Sequence, residues 1–518
     1  LQYIFSSNLF LYFSNGFFII EPSITHETLL TTMSSNWKKL LKSDRFDVGK
    51  QNKKKQYVKR KKRKKSNVNR DEKKRKKKML IRLETTRSKR STSKPEPKRS
   101  LLEKSEFRLV SKSASITTDI SIELLRLKST SRIHDTFMKI GGGRIGKSKL
   151  QDLFEAAMLA SDLVNCPLIP AEGWVDAVVV PIFKSANISL DRDEIVNLMQ
   201  LVRDVRKWFV SGCAKEEQNK DHVVRVQRVR VEGKAARLAA LEQVEPDLEA
   251  YDLCVEDVTV RVNRRHYEKL KRMFERSGSI EEDKFHKSLF CLLVRYRALR
   301  GGGVQGGGMQ AAVPETVFNV LRDHFSVSFE CFASPLNCRY TQFCSAFLDT
   351  DSAFGSVGSF WTFFPDQGSF QVNPPFDCKI IERCSNHIHE LLSRAEKSSN
   401  SMSFVVMIPR WEHCKGWSSM SSSSFLRANL LLRRRDHGYC EGRQHARPTR
   451  YRIAPCDTSV FILQSSMGLE KWPPTESKAK SIVEAFRSKH VNSKTVIADK
   501  RSKKKKKKKI LNAATSKP

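Results

Sequence analysis

The stretch Gly368-Ser369-Phe370-Gln371-Val372-Asn373-Pro374-Pro375-Phe376 decides how this chain is read. Phe370 and Val372 alternate with polar neighbours, which predicts a short strand, and Asn-Pro-Pro-Phe then makes a rigid loop at its C-terminal edge. The chemistry of such a loop is narrow. Asn373 supplies an amide oxygen, Pro374 a backbone carbonyl on a chain of fixed φ, and Phe376 a flat face. Two acceptors beside a platform suit a planar exocyclic amine, whose hydrogens they receive while stacking fixes its ring.

Working outward, the same period change recurs on both sides. Val313 to Phe325 is helical in pattern, and Val327 to Glu330 is a short strand leading into Cys331-Phe332-Ala333-Ser334-Pro335-Leu336-Asn337. Beyond the loop, Asp377 to Ala395 is a helix, Phe404 to Ile408 a buried strand and Thr458 to Gln464 a late one. Strands alternating with helices predict an α/β domain built on a mostly parallel, doubly wound sheet. Ligands of such sheets sit at the C-terminal strand edges, where both marked loops fall. An acidic residue there, followed by a small-residue turn, suits S-adenosylmethionine. Glu330 can take a hydroxyl or ammonium, and the turn admits close backbone approach.

The N-terminal half has a different character. Residues 116–300 carry helical periodicity, as in Asp191 to Phe209, where Asp191 and Glu194 have the spacing of a capping box. Val258, Val260 and Val262 alternate within Tyr251 to Asn263, which predicts a strand or hairpin. Gly141 to Ser148 satisfies the phosphate-loop pattern GxxxxGK[ST]. No apolar strand precedes it, and no later apolar run ends in a convincing magnesium-binding Asp, so a turn that starts a helix is expected.

The chain has 518 residues and a formal charge of +39, which favours a polyanionic partner. Much of the excess lies in Lys53 to Lys78 and Lys503 to Lys509, runs that suit nuclear import. Leu1 to Ile20 is apolar without a basic start or cleavage site, and Ser14-Asn15-Gly16 interrupts it, so neither a secretory signal nor a membrane span is expected. The 12 cysteines show no repeated spacing and predict no disulfide framework. His413-Cys414 with His437, Cys440 and His445 is the nearest approach to a metal set, and its irregular spacing predicts no metal.

Beyond these local readings, GGGMQAAVPETVF (306–318), VSFECFASPLNCRYTQFCSAFLDTDSAFGSVGSF (327–360), GSFQVNPPF (368–376) and SFVVMIPRW (403–411) resemble the phosphorylated CTD-interacting factor family. HYEKLKRMF (266–274) and FHKSLFCLLVRYRAL (285–299) extend the likeness, and DHGYCEGRQH and KWPPT carry it more loosely to about residue 475. That family comprises cap-specific adenosine methyltransferases of metazoan messenger RNA, and its Asn-Pro-Pro-aromatic loop is the signature of amino-methyltransferases that use S-adenosylmethionine. The resemblance implies a Rossmann-like methyltransferase that methylates the N6 amine of the 2′-O-methyladenosine beside the 7-methylguanosine cap. A catalytically weak scaffold that binds RNA or RNA polymerase II is the alternative.

Carried over residue by residue, the resemblance puts Asn373, Pro374, Pro375 and Phe376 at the target adenine. Glu330, Phe332, Ala333, Ser334, Pro335 and Asn337 surround S-adenosylmethionine, while Asp377, Pro409 and Trp411 are candidates for the cap and RNA. Family members carry acidic residues after the Phe of this loop and after the Ile-Pro of the next; here Asp377-Cys378-Lys379 and Arg410 stand in those places. The family's WW module, which binds the phosphorylated polymerase tail, needs two well-separated tryptophans, and only Trp37 precedes Trp174.

The organisation expected is a basic disordered region at 1–115, of which 1–32 lie upstream of a start at Met33. A mostly helical RNA-contacting domain at 116–300, a methyltransferase domain at 301–478 and a basic disordered tail at 479–518 follow. Capped mRNA is the expected partner, the nucleus the expected compartment, and no membrane is involved.

Overall fold

The computed structural model describes residues 10–14, 17–21, 119–161, 167–216, 222–231, 248–303, 306–446 and 451–487. Two compact units are formed, Leu1–Lys104 and Ser105–Pro518. In the first, β1 (Phe10–Ser14) and β2 (Phe17–Glu21) pair antiparallel with Ser14 opposite Phe17. The lysine-rich runs lie outside the described residues.

In the second unit, α1 (Ile120–Gly141) and α2 (Lys147–Leu159) are joined by the glycine-rich turn. That turn therefore leaves a helix rather than a strand, and its Arg144 pairs with Glu194 at 2.6 Å, so the phosphate-loop pattern is a helix connection. A π-turn (Val175–Val179), α3 (Val180–Ser185) and α4 (Arg192–Glu216) follow. The capping box before α4 forms as its spacing predicts: Glu194 N–H donates to Asp191 Oδ1 at 2.8 Å, and Asp191 N–H to Glu194 Oε2 at 3.0 Å.

The expected hairpin is the larger part of a three-stranded antiparallel sheet, β3 (Arg225–Arg230), β4 (Glu249–Val255) and β5 (Val258–Asn263). After it come α5 (Arg264–Arg276) and α6 (Glu282–Ala298). Arg295 of α6 is buried between two acids, bonding Glu123 of α1 at 2.6 Å and Asp349 at 2.6 Å. The apolar core of these helices runs on into Leu336, Phe343, Phe347 and Phe354.

The second sheet follows α7 (Glu315–Phe325) and comprises β6 (Phe329–Glu330), β7 (Gly368–Val372), β8 (Met402–Pro409), β9 (Leu426–Leu432) and β12 (Thr458–Gln464). Between these lie α8 (Leu348–Asp351), α9 (Cys378–Lys397), α10 (Lys415–Ser421) and the small β10 (Gly438–Cys440) and β11 (Tyr451–Ile453) pair. Two helices close the described chain, α11 (Ser466–Lys471) and α12 over 476–487.

Strand order is β6-β7-β8-β12-β9, with β6, β7 and β8 parallel and β12 antiparallel to both β8 and β9. The expectation of a mostly parallel sheet is thus corrected to a mixed one. A parallel neighbour requires a crossover, usually helical. The connection from β9 to β12 carries only the β10–β11 pair, and β12 returns in the opposite sense.

Side-chain alternation divides the core into two layers. Phe404, Val406 and Ile408 of β8 pack with Ile381, Ile388 and Leu391 of α9. Val405 and Met407 face Val317, Leu321 and Phe325 of α7 and Phe486 of α12. Every residue of β8 is buried, which stabilises each of its large apolar side chains by about 1.5–3 kcal/mol relative to exposure. Helices on both faces leave the strand ends as the exposed edge.

Candidate active site

Three loops leave the C-terminal ends of adjacent parallel strands. Register sets Glu330 of β6 beside Gln371 of β7, two residues before Asn373, and sets Val372 beside Val406 of β8, three residues before Pro409. The loops beginning at Cys331, Asn373 and Arg410 therefore share one edge.

The first loop is knit closed. Glu330 is buried, and its Oε1 accepts the backbone N–H groups of Arg339 at 2.6 Å and Tyr340 at 2.9 Å. Neither of those bonds uses Oε2. Burial pushes this carboxyl up to about 7, against the opposing pull of the two N–H groups, Lys269 and Arg339. Asn337 turns inward: its Oδ1 accepts Ser334 N–H at 2.7 Å and Ser334 Oγ–H at 3.0 Å, and its Nδ2 donates to the Gln310 carbonyl at 2.9 Å. Lys269 of α5 donates to the carbonyls of Pro335 at 2.9 Å and Cys338 at 2.8 Å. Ala333 N–H bonds the Cys344 carbonyl at 2.9 Å, and Phe332 lies edge-on to Trp361 with ring centres 5.4 Å apart.

The second loop is not closed. Asn373 Nδ2 donates to the Ala311 carbonyl at 2.8 Å, which fixes the amide's orientation. Its Oδ1 is buried with no hydrogen-bond donor among the described residues. The carbonyls of Gln310 and Ala311, consecutive in the chain, thus position Asn337 and Asn373 in the two loops. Pro374 is buried, while Pro375 accepts the N–H of Asp377 at 2.8 Å. Phe376 is half-buried, edge-on to Tyr439 at 5.7 Å and to Trp411 at 6.5 Å.

Asp377 has a structural task that its sequence position also suits. Its Oδ1 caps α9, accepting Lys379 N–H at 2.9 Å and Ile380 N–H at 3.1 Å. In the third loop, Pro409 ends β8 and Trp411 is half-buried with its ring stacked on His413 at 6.3 Å. Arg410 donates to Glu412 at 2.7 Å.

Lys269, Gln310, Ala311 and Tyr439 belong to the site and were not singled out as site residues from sequence. Their signal was membership of the stretches that resemble the family, since a backbone carbonyl or a lysine on a distant helix carries no local pattern. Of the suspected metal set, His437 is buried on Thr458 Oγ1 at 2.8 Å and on the Arg433 carbonyl at 2.9 Å. His445 is buried too, with its carbonyl accepting Asn263 N–H at 2.7 Å. His413 and Cys414 instead meet Cys378, which forms a disulfide with Cys414. Where the sequence predicts no disulfide framework, the described residues hold this one bond.

A family model described as "Phosphorylated CTD interacting factor 1 WW domain" matches residues 269–442. Residues 269–442 are therefore similar to the phosphorylated CTD interacting factor family. The matched residues run from α5 to the end of β10 and carry all three loops, a far larger structure than a small three-stranded WW sheet.

Two curated relatives share the region. The mRNA (2′-O-methyladenosine-N(6)-)-methyltransferase of Homo sapiens is 37% identical over 257 residues, which is 48% of this chain and 36% of that protein. The Mus musculus protein of the same description is 38% identical over 236 residues, covering 44% of this chain and 33% of its own length. This chain therefore spans about a third of the relatives it matches. A type I restriction-modification methyltransferase subunit from Streptococcus thermophilus aligns over 71% of this chain and 93% of its own, at 9% identity and a TM-score of 0.19, too low to carry an argument.

Proposed function

We propose that this chain transfers a methyl group from S-adenosylmethionine to the N6 amine of the 2′-O-methyladenosine beside the 7-methylguanosine cap of mRNA. The observation that carries the proposal is the buried, donor-less Oδ1 of Asn373 at the end of β7. A buried acceptor without a donor costs about 1–3 kcal/mol. An incoming amine N–H would relieve that cost, and nothing else in the loop supplies one.

The reading is of a Rossmann-like methyltransferase, and the residues fit its cofactor. A buried carboxylate whose Oε1 is already held leaves Oε2 for a ligand hydroxyl or ammonium, and the Ser334 to Asn337 turn is rigid enough to present its backbone. When bound, S-adenosylmethionine supplies the electrophilic methyl. Asn373 Oδ1 and the Pro374 carbonyl accept the two amine hydrogens, and the acceptors favour loss of planarity in an amine whose lone pair is otherwise delocalised into the ring. Phe376, held edge-on by Tyr439 and Trp411, gives the base its platform. A separate strong base is unnecessary, because the amine becomes acidic only as the methyl arrives. Trp411 offers an aromatic face to the flat, cationic cap.

Residues 116–300 are read as the RNA-facing part. Arg228, Arg261, Arg264 and Arg265 are paired with Glu249, Asp252 or Glu315. Exposed Arg225 and Arg230 pair with no carboxylate among the described residues and are the better candidates for phosphate. The lysine-rich runs suit nuclear import and an acidic partner such as a phosphorylated polymerase tail. No helix among the described residues is long and apolar enough to cross a membrane.

The test is incubation with labelled S-adenosylmethionine and RNA that begins with 2′-O-methyladenosine, capped or uncapped. Label confined to the N6 position of capped RNA is expected. Equal label without a cap removes the cap from the proposal, and no label in either RNA removes the reaction.

A further inference from the structure

Cys378, His413 and Cys414 bring two sulfurs and an imidazole nitrogen together, all within 4.8 Å of one another. Cys378 opens α9 just beyond its Asp377 cap. Cys414 is buried and precedes α10. His413 is exposed, its ring stacked on Trp411 and its Nε2 3.9 Å from Cys378 Sγ.

We propose that these three residues form a binding site for a zinc-class divalent metal ion that fastens the Asn373–Phe376 loop to the Trp411 loop. Zinc takes thiolate at about 2.3 Å and imidazole at about 2.0 Å, so its ligand atoms lie roughly 3.5–4 Å apart. His413 Nε2 and Cys378 Sγ, 3.9 Å apart, already have that spacing, and the two sulfurs can open to it only once their bond is reduced. In this structure the two cysteines are joined as a disulfide, with Cα atoms 5.4 Å apart. The disulfide and the metal site use the same sulfurs and exclude each other.

Two observations favour the metal. A disulfide has no use for an imidazole, yet His413 Nε2 approaches the sulfurs. Moreover, Cys331, Cys344 and Cys384 in the same half of the molecule are thiols outside any disulfide. With two thiolates and one neutral imidazole, the exposed side of His413 leaves a fourth position for water. Binding displaces the two thiol protons to solvent. The site does not depend on methyl transfer, and its consequence is mechanical: the platform at Phe376 and the aromatic face at Trp411 become fixed to one another.

The full chain, reduced with a phosphine and stripped of metal, is titrated with cobalt(II) while sulfur-to-cobalt charge-transfer absorption is followed. One thiolate-bound cobalt per chain, displaced by zinc, is expected. Cys378→Ser and the exposed His413→Ala should each weaken binding at least about tenfold, a loss that even outer-shell changes produce. Cys456→Ser should leave it unchanged. Absence of the band in the reduced wild type overturns the site, as does peptide mapping that recovers only the Cys378–Cys414 disulfide after reoxidation in the presence of zinc. A band that survives both Cys378→Ser and His413→Ala overturns it as well. Because the readout is metal absorption, none of these outcomes bears on methyl transfer.

Discussion

The loops that follow β6 and β7 leave neighbouring strands at the same edge, yet they are finished differently. After β6, Glu330, Ser334, Asn337 and the carbonyls of Pro335 and Cys338 all have partners, some supplied by Lys269 from a distant helix. After β7, Asn373 is anchored through its nitrogen while its oxygen is left buried and donor-less. One loop is a closed cradle, and the other holds an open hydrogen-bonding position. The contrast separates scaffold from chemistry: binding surfaces can be self-satisfied, whereas a group reserved for the transition state must be kept unspent in the resting protein.

Substitutions should split along that line, with the largest effect in the open loop. Asn373→Ala is expected to lower the methyl-transfer rate by about 10²–10³-fold, as loss of a single preorganised group does, with S-adenosylmethionine affinity kept. Rates from labelled donor and a separate equilibrium titration check both halves. Wild-type transfer would show that the amide has no such role.

In the closed loop the effect should fall on stability. Lys269→Met removes a donor from the Pro335 and Cys338 carbonyls and should cost about 1–3 kcal/mol, read from denaturant midpoints, with weaker donor binding alongside. A comparable loss is expected for the platform but in RNA affinity: Phe376→Leu should raise the KM for RNA by the equivalent of about 1–3 kcal/mol of lost stacking, with the fold intact.

The smallest effect concerns pH. Glu330 has an ordinary value of 4.5 and is raised to about 7 in the fold, so the folded state holds its proton more tightly. Its contribution to stability is full below 4.5 and is lost as pH rises through about 7. Glu155 and Asp351 behave alike, each raised to about 7 by burial. Glu330→Gln keeps an acceptor for Arg339 and Tyr340 and should flatten the decline in melting temperature between pH 5 and pH 8. It should also abolish a rise of donor affinity through pH 7, since the ionised carboxylate is the better acceptor. An unchanged pH profile would place the titrating group elsewhere.

Much of the closed and open loops is legible in the sequence. Phe370 and Val372 marked β7, Asp377 to Ala395 read as a helix, and Asp191 with Glu194 spelled out a capping box, because each of these is set by neighbours in sequence. What stayed hidden depends on distant partners. Strand direction was one such feature: β12 is buried along its whole length and carries no alternation to reveal that it runs against β8. Nothing local in Arg225 to Arg230 announces a strand, and only pairing with β4 makes it one. The satisfaction of Glu330 by two backbone N–H groups, and the lack of a donor at Asn373 Oδ1, are facts of tertiary placement that spacing does not encode.

If the Asn373 oxygen is held open for the base's exocyclic amine, a cycle that changes both groups will couple them. Binding is measured for wild type and Asn373→Ala with capped RNA beginning in 2′-O-methyladenosine and with the same RNA carrying 2′-O-methylpurine riboside, which lacks the amine. If the amine donates to Asn373, the two losses overlap, with a coupling of about 0.5–3 kcal/mol as expected for groups in contact. Losses that simply add would mean that the amide and the amine do not meet.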